Sequence, residues 1–198
     1  SLAIPRKGVV GRYDKMRLLP FGEYLPLANW LPWPARLREG HGMWPLLPGD
    51  MPTVFDLDGR RFGVLICWES FFPELARTLV GNGAEFLVNM TNEAWFGETA
   101  ASHHMVAISV FRAVENRVAL VRAANTGVSS VIAPDGDIVA RVRDEAGNDL
   151  FVAGALTHEA PLLRARTFYT AYGDVWVFAN MLALLGLWVV AARRGRIR

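Results

Sequence analysis

The chain ends in a long apolar stretch that constrains its fold more than any other feature. Residues 175–192 read VWVFANMLALLGLWVVAA, eighteen residues without a charge, and the basic segment RRGRIR follows directly. A helix needs about 17–25 mainly apolar residues to cross a bilayer. Aromatic side chains suited to the membrane interface lie near both ends of the stretch, at Tyr169, Tyr172, Trp176 and Trp188. We therefore predict a transmembrane helix over 175–192, the alternative being a buried C-terminal core helix.

The residues after this stretch account for the positive charge of the chain. The formal net charge is +2, and Arg193, Arg194, Arg196 and Arg198 supply four positive charges, so subtracting them leaves −2 for the rest. That balance gives no indication of a nucleic-acid-binding surface. Basic residues beside a single span favour the cytoplasmic side. We expect residues 193–198 to form a cytoplasmic tail, which places the preceding domain outside the cytoplasm.

The start of the chain does not fit that placement. A domain outside the cytoplasm needs a signal peptide or an earlier membrane helix, and SLAIPRKGVVGRYDKMRL contains neither pattern. We therefore expect the chain to be the C-terminal part of a longer protein.

Strand and helix patterns alternate through the middle of the chain. The pattern predicts buried strands over 61–67, 85–91 and 118–124, and helices over 71–81 and 100–117. Two short strands joined by the turn Pro134-Asp135-Gly136 follow, and LFVAGAL (150–156) is predicted as a further strand. This order predicts an α/β domain over residues 1–170, with helices packed on the faces of a sheet.

One segment interrupts the alternation. Residues 25–52 contain six prolines and three tryptophans, which argues against a regular element, and the segment is longer than most loops. We interpret it as an insertion.

The candidate nucleophile is Cys67, the only cysteine of the chain. It follows a predicted strand and precedes a predicted helix, where helix N-terminal amides favour a thiolate and can hold an oxyanion. A single buried cysteine is also an ordinary core residue. Taken one at a time, Lys15 and Glu23 are also compatible with ordinary surface positions, and Glu69 with an acid that favours the helix dipole at its N-terminus. His103 and His104 have no partners at metal-ligand spacing.

Four motifs in a fixed order give these residues a common context. YDKMRLLPFGEY (13–24), GVLICWES (63–70), LVNMTNEAWFG (87–97) and FRAVENRVALVRAANTGVSSVIAPDG (111–136) together resemble the carbon–nitrogen hydrolase (nitrilase) superfamily. Within it, the PFGEY and NEAWFG motifs and the C-terminal span are similar to the bacterial apolipoprotein N-acyltransferases. The resemblance extends over nearly the whole chain, from about Gly8 to Trp188.

The resemblance implies a fold and a set of catalytic residues. The fold is an α-β-β-α sandwich, here partial because the family's N-terminal strand and helix are missing. Cys67 matches the nucleophile and Lys15 the lysine that stabilises the oxyanion. Glu23 and Glu69 match further acids. The implied substrate-binding residues are Trp30, Trp33, Trp68, Trp95, Phe96 and Asn125, and the alternative for the tryptophans and Phe96 is ordinary packing.

The resemblance also implies a reaction. An acyl chain passes from a phospholipid to Cys67 as a thioester, and then to the N-terminal amine of a diacylglyceryl-cysteine apolipoprotein. The implied location is the bacterial inner membrane with the domain on the periplasmic side, as a monomer without cofactor or metal. The alternatives are a membrane-anchored amidase or nitrilase that cleaves a C–N bond, and a non-catalytic module that binds lipid or protein.

One member of the family pattern is absent. The family's general-base glutamate lies upstream of the lysine, and the fourteen residues before Lys15 contain one acid, Asp14, and no glutamate. We expect truncation rather than a rearranged site, and a chain that is inactive alone.

Overall fold

The computed structural model describes residues 2–4, 8–27, 46–162 and 166–195. The predicted substrate-binding residues Trp30 and Trp33 lie outside the described residues, as does most of the 25–52 insertion. Strands β1 (Leu2–Ile4) and β2 (Gly8–Gly11) form a separate antiparallel pair.

A six-stranded mixed sheet is the centre of the fold. Its spatial order follows the chain order, from β3 (Val54–Leu57), β4 (Arg60–Ile66) and β5 (Phe86–Asn92) to β6 (Ala119–Asn125), β7 (Ser130–Ile132) and β8 (Ile138–Arg141). Strands β4, β5 and β6 are parallel, and the outer pairs are antiparallel. The carboxyl ends of β4, β5 and β6 therefore meet at one edge of the sheet.

Helices make the two parallel crossovers. Helix α1 (Pro73–Gly81) connects β4 to β5, and helix α2 (Ala101–Asn116) connects β5 to β6. Short 3-10 turns precede each helix, at Cys67–Phe71 and Ala94–Phe96. Leu65, Leu87 and Leu120 pack in one cluster with residues of α1 and α2 and have no exposed surface. Residues of the opposite face are less covered: Val88 and Val121 are partly exposed, and Met90 is 45% exposed.

The predicted elements of this region are confirmed with small shifts at their ends. The helix predicted over 71–81 is divided at Phe72, because Pro73 occupies the first helical position and the residue before a proline is held in an extended conformation. The hairpin across Pro134-Asp135-Gly136 is present as β7 and β8. Strand β3 was not predicted, although the Asp58-Gly59 turn that joins it to β4, with both residues at positive φ, is a standard hairpin signal.

The strand predicted over 150–156 is wrong. The structure assigns no ladder to this segment, and Phe151 lies at φ 57 with its amide bonded to the carbonyl of Thr126. A left-handed residue interrupts strand geometry. The segment is largely exposed, so its apolar side chains have no second layer to pack against.

The C-terminal apolar stretch forms helix α4 (Val175–Gly195), preceded by the short helix α3 (Phe168–Tyr172). Residues 175–194 have a mean hydropathy of 2.1, and none of this window is buried in the described part of the chain. The alternative of a buried core helix is therefore contradicted. The chain has a helix that is long and apolar enough to cross a membrane.

Candidate active site

Cys67 lies where β4 ends at the carboxyl edge of the sheet. Its φ is 56, in the left-handed region that non-glycine residues seldom adopt, and it is the first residue of the 3-10 turn. The side-chain amide of Asn89 donates to the carbonyl oxygens of Leu65 at 3.0 Å and Cys67 at 3.2 Å. These two bonds hold the sharp change of direction, and Cys67 remains partly exposed.

Glu69 is a buried carboxylate that joins the Cys67 turn to the segment carrying Lys15. One oxygen, Oε1, accepts from the backbone amides of Met16 at 2.6 Å and Arg17 at 3.0 Å. The other, Oε2, accepts from the Tyr13 hydroxyl at 2.9 Å and the Ile66 amide at 2.7 Å. Protein donors therefore occupy both oxygens of Glu69, and its predicted role as a catalytic acid stays a prediction. Burial and the adjoining carboxylate together raise the pKa of Tyr13 above its usual range.

Lys15 and Glu23 form an ion pair in the same region. Lys15 Nζ donates to both carboxylate oxygens of Glu23, at 2.6 and 2.8 Å, and 10% of the Lys15 side chain is exposed. Glu23 also accepts from the Leu19 amide at 2.8 Å. The Lys15 carbonyl accepts from the Gly49 amide, which fixes the backbone at the residue that carries the ammonium group.

A cavity opens next to these residues. It has a volume of about 360 Å³ and is lined mainly by apolar and aromatic groups, including Met16, Leu18, Tyr24, Trp68 and Phe72. The predicted substrate-binding residue Trp68 therefore adjoins both the cysteine and the cavity, and its indole Nε1 donates to the Arg17 carbonyl at 2.6 Å. Arg17 itself stacks over the Phe72 ring at 5.4 Å.

The other predicted substrate-binding residues lie on the loops after β5 and β6. Asn125 is exposed at the carboxyl end of β6 and donates to Asn92 Oδ1 at 3.2 Å. Trp95 is 86% exposed and Phe96 41%, so the alternative in which these two rings fill the core is contradicted. Their roles in substrate binding stay predictions.

Three polar residues beneath the cysteine were missed from the sequence. Arg122 pairs with Glu93, and both side chains are fully buried. Arg122 Nη1 also donates to Asn89 Oδ1, the same side chain that holds the Cys67 carbonyl. Burial lowers the pKa of Arg122 to about 10, while the charge of Cys67 acts in the opposite direction. An arginine inside the apolar strand VALVRAA was the available signal, because a buried charge requires a partner.

No group of three or more metal-ligating side chains is found within the described ranges.

The fold defines the class of protein: an α/β domain whose parallel strands bring a cysteine to the carboxyl edge of the sheet. The sequence profile of the family described as carbon-nitrogen hydrolase matches residues 2–157. The chain therefore belongs to the carbon–nitrogen hydrolase family, and the predicted fold class is confirmed.

Two curated relatives extend the comparison. The chain is 44% identical over 196 residues to an apolipoprotein N-acyltransferase of Geobacter metallireducens, covering 99% of this chain and 36% of the relative. It is 37% identical over 188 residues to the protein of the same name from Synechocystis, covering 91% of this chain and 33% of that relative. The chain thus spans about a third of the length of these relatives.

Among solved structures, the NitN amidase from Nesterenkonia sp. AN1 is similar at 26% identity and a TM-score of 0.49. The match covers 68% of this chain and 48% of the amidase.

Proposed function

We propose that the chain carries the thiol site of an acyltransferase that modifies the N-terminal amine of apolipoproteins. The relatives named apolipoprotein N-acyltransferase support this substrate class. The observation that carries the proposal is the joining of two segments: Glu69 holds the amides that follow Lys15 and the amide that precedes Cys67. This link supports a site in which the Lys15 cation and the Cys67 thiol, carried on separate segments, would act together.

The reaction would proceed in two displacements. The Cys67 thiolate attacks the ester carbonyl of a phospholipid, the C–O bond breaks, and a lysophospholipid leaves after taking up a proton. The α-amine of the diacylglyceryl-cysteine then attacks the thioester, an amide forms, the amine loses a proton and the thiolate is restored. Each step passes through a tetrahedral oxyanion, which a preorganised cation stabilises.

Lys15 would supply that cation. Its ammonium group is held on both oxygens of Glu23, which keeps the charge in place before the substrate arrives. Glu23 would act by holding the Lys15 ammonium group. Glu69 would act by holding the backbone of the two segments that carry Lys15 and Cys67.

The cavity beside Trp68 is our candidate for part of the acyl-chain path. Its lining is mainly apolar, which suits a hydrocarbon chain. Helix α4 is apolar and exposed along its length, so it would anchor the domain at the membrane that supplies the lipid. We propose the bacterial inner membrane, with the domain on the periplasmic side, the tail in the cytoplasm and a monomer as the working unit.

The test uses the complete protein that carries this chain, purified in detergent with radiolabelled phosphatidylethanolamine and a diacylglyceryl-cysteinyl peptide. We expect labelled acyl chain on the peptide amine, and loss of transfer in Cys67→Ala and Lys15→Met. Release of ammonia from small amides with no labelled peptide would favour the amidase alternative. Lipid binding without either product would favour the non-catalytic module.

A further inference from the structure

Behind the cysteine lies a buried polar unit that the proposed reaction does not use directly. It consists of Asn89, Glu93 and Arg122, all of them at most 1–2% exposed. Asn89 and Arg122 are opposite each other in the parallel pairing of β5 and β6, and Leu65 is opposite Asn89 on β4. The unit therefore lies on β5 and β6 near their carboxyl ends, and the Asn89 bond to the Leu65 carbonyl connects it to β4.

The contacts of this unit lead to the nucleophile. Arg122 Nη2 pairs with Glu93, and Arg122 Nη1 donates to Asn89 Oδ1. Arg122 Nε donates to the carbonyl of Val128 at 3.2 Å. Asn89 turns its amide nitrogen to the Cys67 carbonyl, so two hydrogen bonds in series connect the guanidinium to the cysteine backbone.

Stability alone does not account for such a unit. A buried ion pair adds little net stability compared with apolar side chains of similar volume. The neighbouring backbone also leaves room for this pair only because residue 127 is a glycine, since a Cβ atom on Gly127 would collide with the Glu93 carboxylate. The conformation it supports, Cys67 at φ 56, is itself strained for a non-glycine residue.

We propose that Arg122 is a positioning residue for Cys67: through Asn89 it holds the cysteine in its left-handed turn, and its guanidinium supplies a positive charge behind the thiol. Glu93 orients that guanidinium and offsets part of its charge. The inference rests on the proposed function in assigning Cys67 as the nucleophile. It is tested without acyl transfer, so the two can fail separately.

The other charged groups around the cysteine are already engaged. Glu69 accepts four hydrogen bonds from Tyr13, Met16, Arg17 and Ile66. Lys15 is paired with Glu23. Substitutions within the Arg122–Glu93 pair therefore change the local charge in a known direction while these other groups stay as they are.

The experiment measures alkylation of Cys67 in the complete protein that carries this chain, purified in detergent, by peptide mass spectrometry. Cys67 is the only cysteine of these 198 residues, and the adduct is quantified on the peptide that contains it. Rate constants are measured at one pH with iodoacetamide, which is neutral, and iodoacetate, which is anionic. The ratio of the two rates reports the charge near the thiol and cancels differences in its accessibility.

The proposal predicts opposite changes for the two partners. Glu93→Gln leaves Arg122 unneutralised and should raise the iodoacetate-to-iodoacetamide ratio at least about threefold, and Arg122→Gln leaves the Glu93 charge and should lower it by a similar factor. Asn89→Ala should slow both reagents equally, since it releases the Cys67 carbonyl without changing the charge. Arg77→Gln, which removes a cation bonded to the carbonyls of α3, should leave the ratio unchanged.

A purely structural pair would give a different result. Both single variants would then change the iodoacetate-to-iodoacetamide ratio in the same direction, or leave it at the parent value. Either outcome overturns the proposal. If Arg122→Gln does not fold, Glu93→Gln and the neutral double variant Glu93→Gln/Arg122→Gln carry the test. The double variant should have a ratio clearly below that of Glu93→Gln and no higher than that of the parent, and a ratio equal in all three also overturns the proposal.

Discussion

Replacing Glu69 with glutamine removes the charge that joins the cysteine turn to the lysine segment. The carboxylate is fully buried and accepts four hydrogen bonds of 2.6 to 3.0 Å. A glutamine keeps one oxygen and presents an NH₂ group to the donors that faced the other. If that group faces Tyr13, the hydroxyl can rotate to accept, and only the Ile66 amide is orphaned. If it faces the other side, the amides of Met16 and Arg17 both lose their acceptor.

The size of the effect follows from these counts. An unsatisfied buried donor costs about 1–3 kcal/mol, and a hydrogen bond to a charged group contributes about 1.5–3 kcal/mol. One or two orphaned amides therefore predict that Glu69→Gln lowers the free energy of unfolding by about 2–4 kcal/mol. Equilibrium urea unfolding in detergent, followed by tryptophan fluorescence, measures the change.

The matched control is Glu74→Gln. Its carboxylate is about half exposed and lies 3.4 Å from an Arg17 nitrogen, and exposed ion pairs contribute about 0–1 kcal/mol. We expect the control to stay within about 0.5 kcal/mol of the parent. A Glu69→Gln variant as stable as this control would refute the positioning role proposed for Glu69.

Three further predictions address other parts of the fold. Gly127→Ala should destabilise by about 2–3 kcal/mol in thermal unfolding, because the new methyl group meets the buried Glu93 carboxylate; Gly81→Ala, with open space around the added methyl, should not. Arg77→Gln should speed amide hydrogen exchange over residues 167–174 by at least about tenfold, leaving the sheet unchanged, since Arg77 donates to three carbonyls of α3. Asp149→Asn should reduce the loss of thermal stability that the parent shows as the pH falls below about 4.

The sign of the Asp149 prediction follows from its surroundings. Burial opposes ionisation, but hydrogen bonds from Arg141 and His103 outweigh it and lower the pKa of Asp149. A carboxyl group whose pKa is lower in the folded state contributes stability above its unfolded pKa of about 3.9 and loses that contribution as the pH falls through the folded value. An asparagine variant whose thermal midpoint falls as steeply as the parent's would contradict this account.

The parallel core of the fold could be predicted because its signals are local. The mainly apolar runs over 61–67, 85–91 and 118–124, with amphipathic segments between them, specify strands and crossover helices. The segment 150–156 has the same apolar composition, but nothing local shows that no second layer covers it. The left-handed Phe151 is equally invisible in the sequence, because tertiary contacts impose that conformation.

The candidate site was predictable only in part. The positions of Cys67 and Lys15 came from motif resemblance. The four donors on Glu69 lie 3 to 56 residues away, a relation that only the folded chain reveals. Arg122 was open to inference from its place in an apolar strand, whereas its partner Glu93 sits in the loop after β5, where an acid would be expected at the surface.

The central claim is that Cys67 carries the acyl chain, and intact-protein mass spectrometry tests it most directly. The complete protein that carries this chain is incubated with a phospholipid of defined acyl length and no acceptor peptide. We predict a mass increase equal to one acyl group, located on the Cys67 peptide, removed by neutral hydroxylamine and absent in Cys67→Ala. Acyl transfer to an acceptor without any adduct on this peptide, or an adduct that persists in Cys67→Ala, would contradict the account.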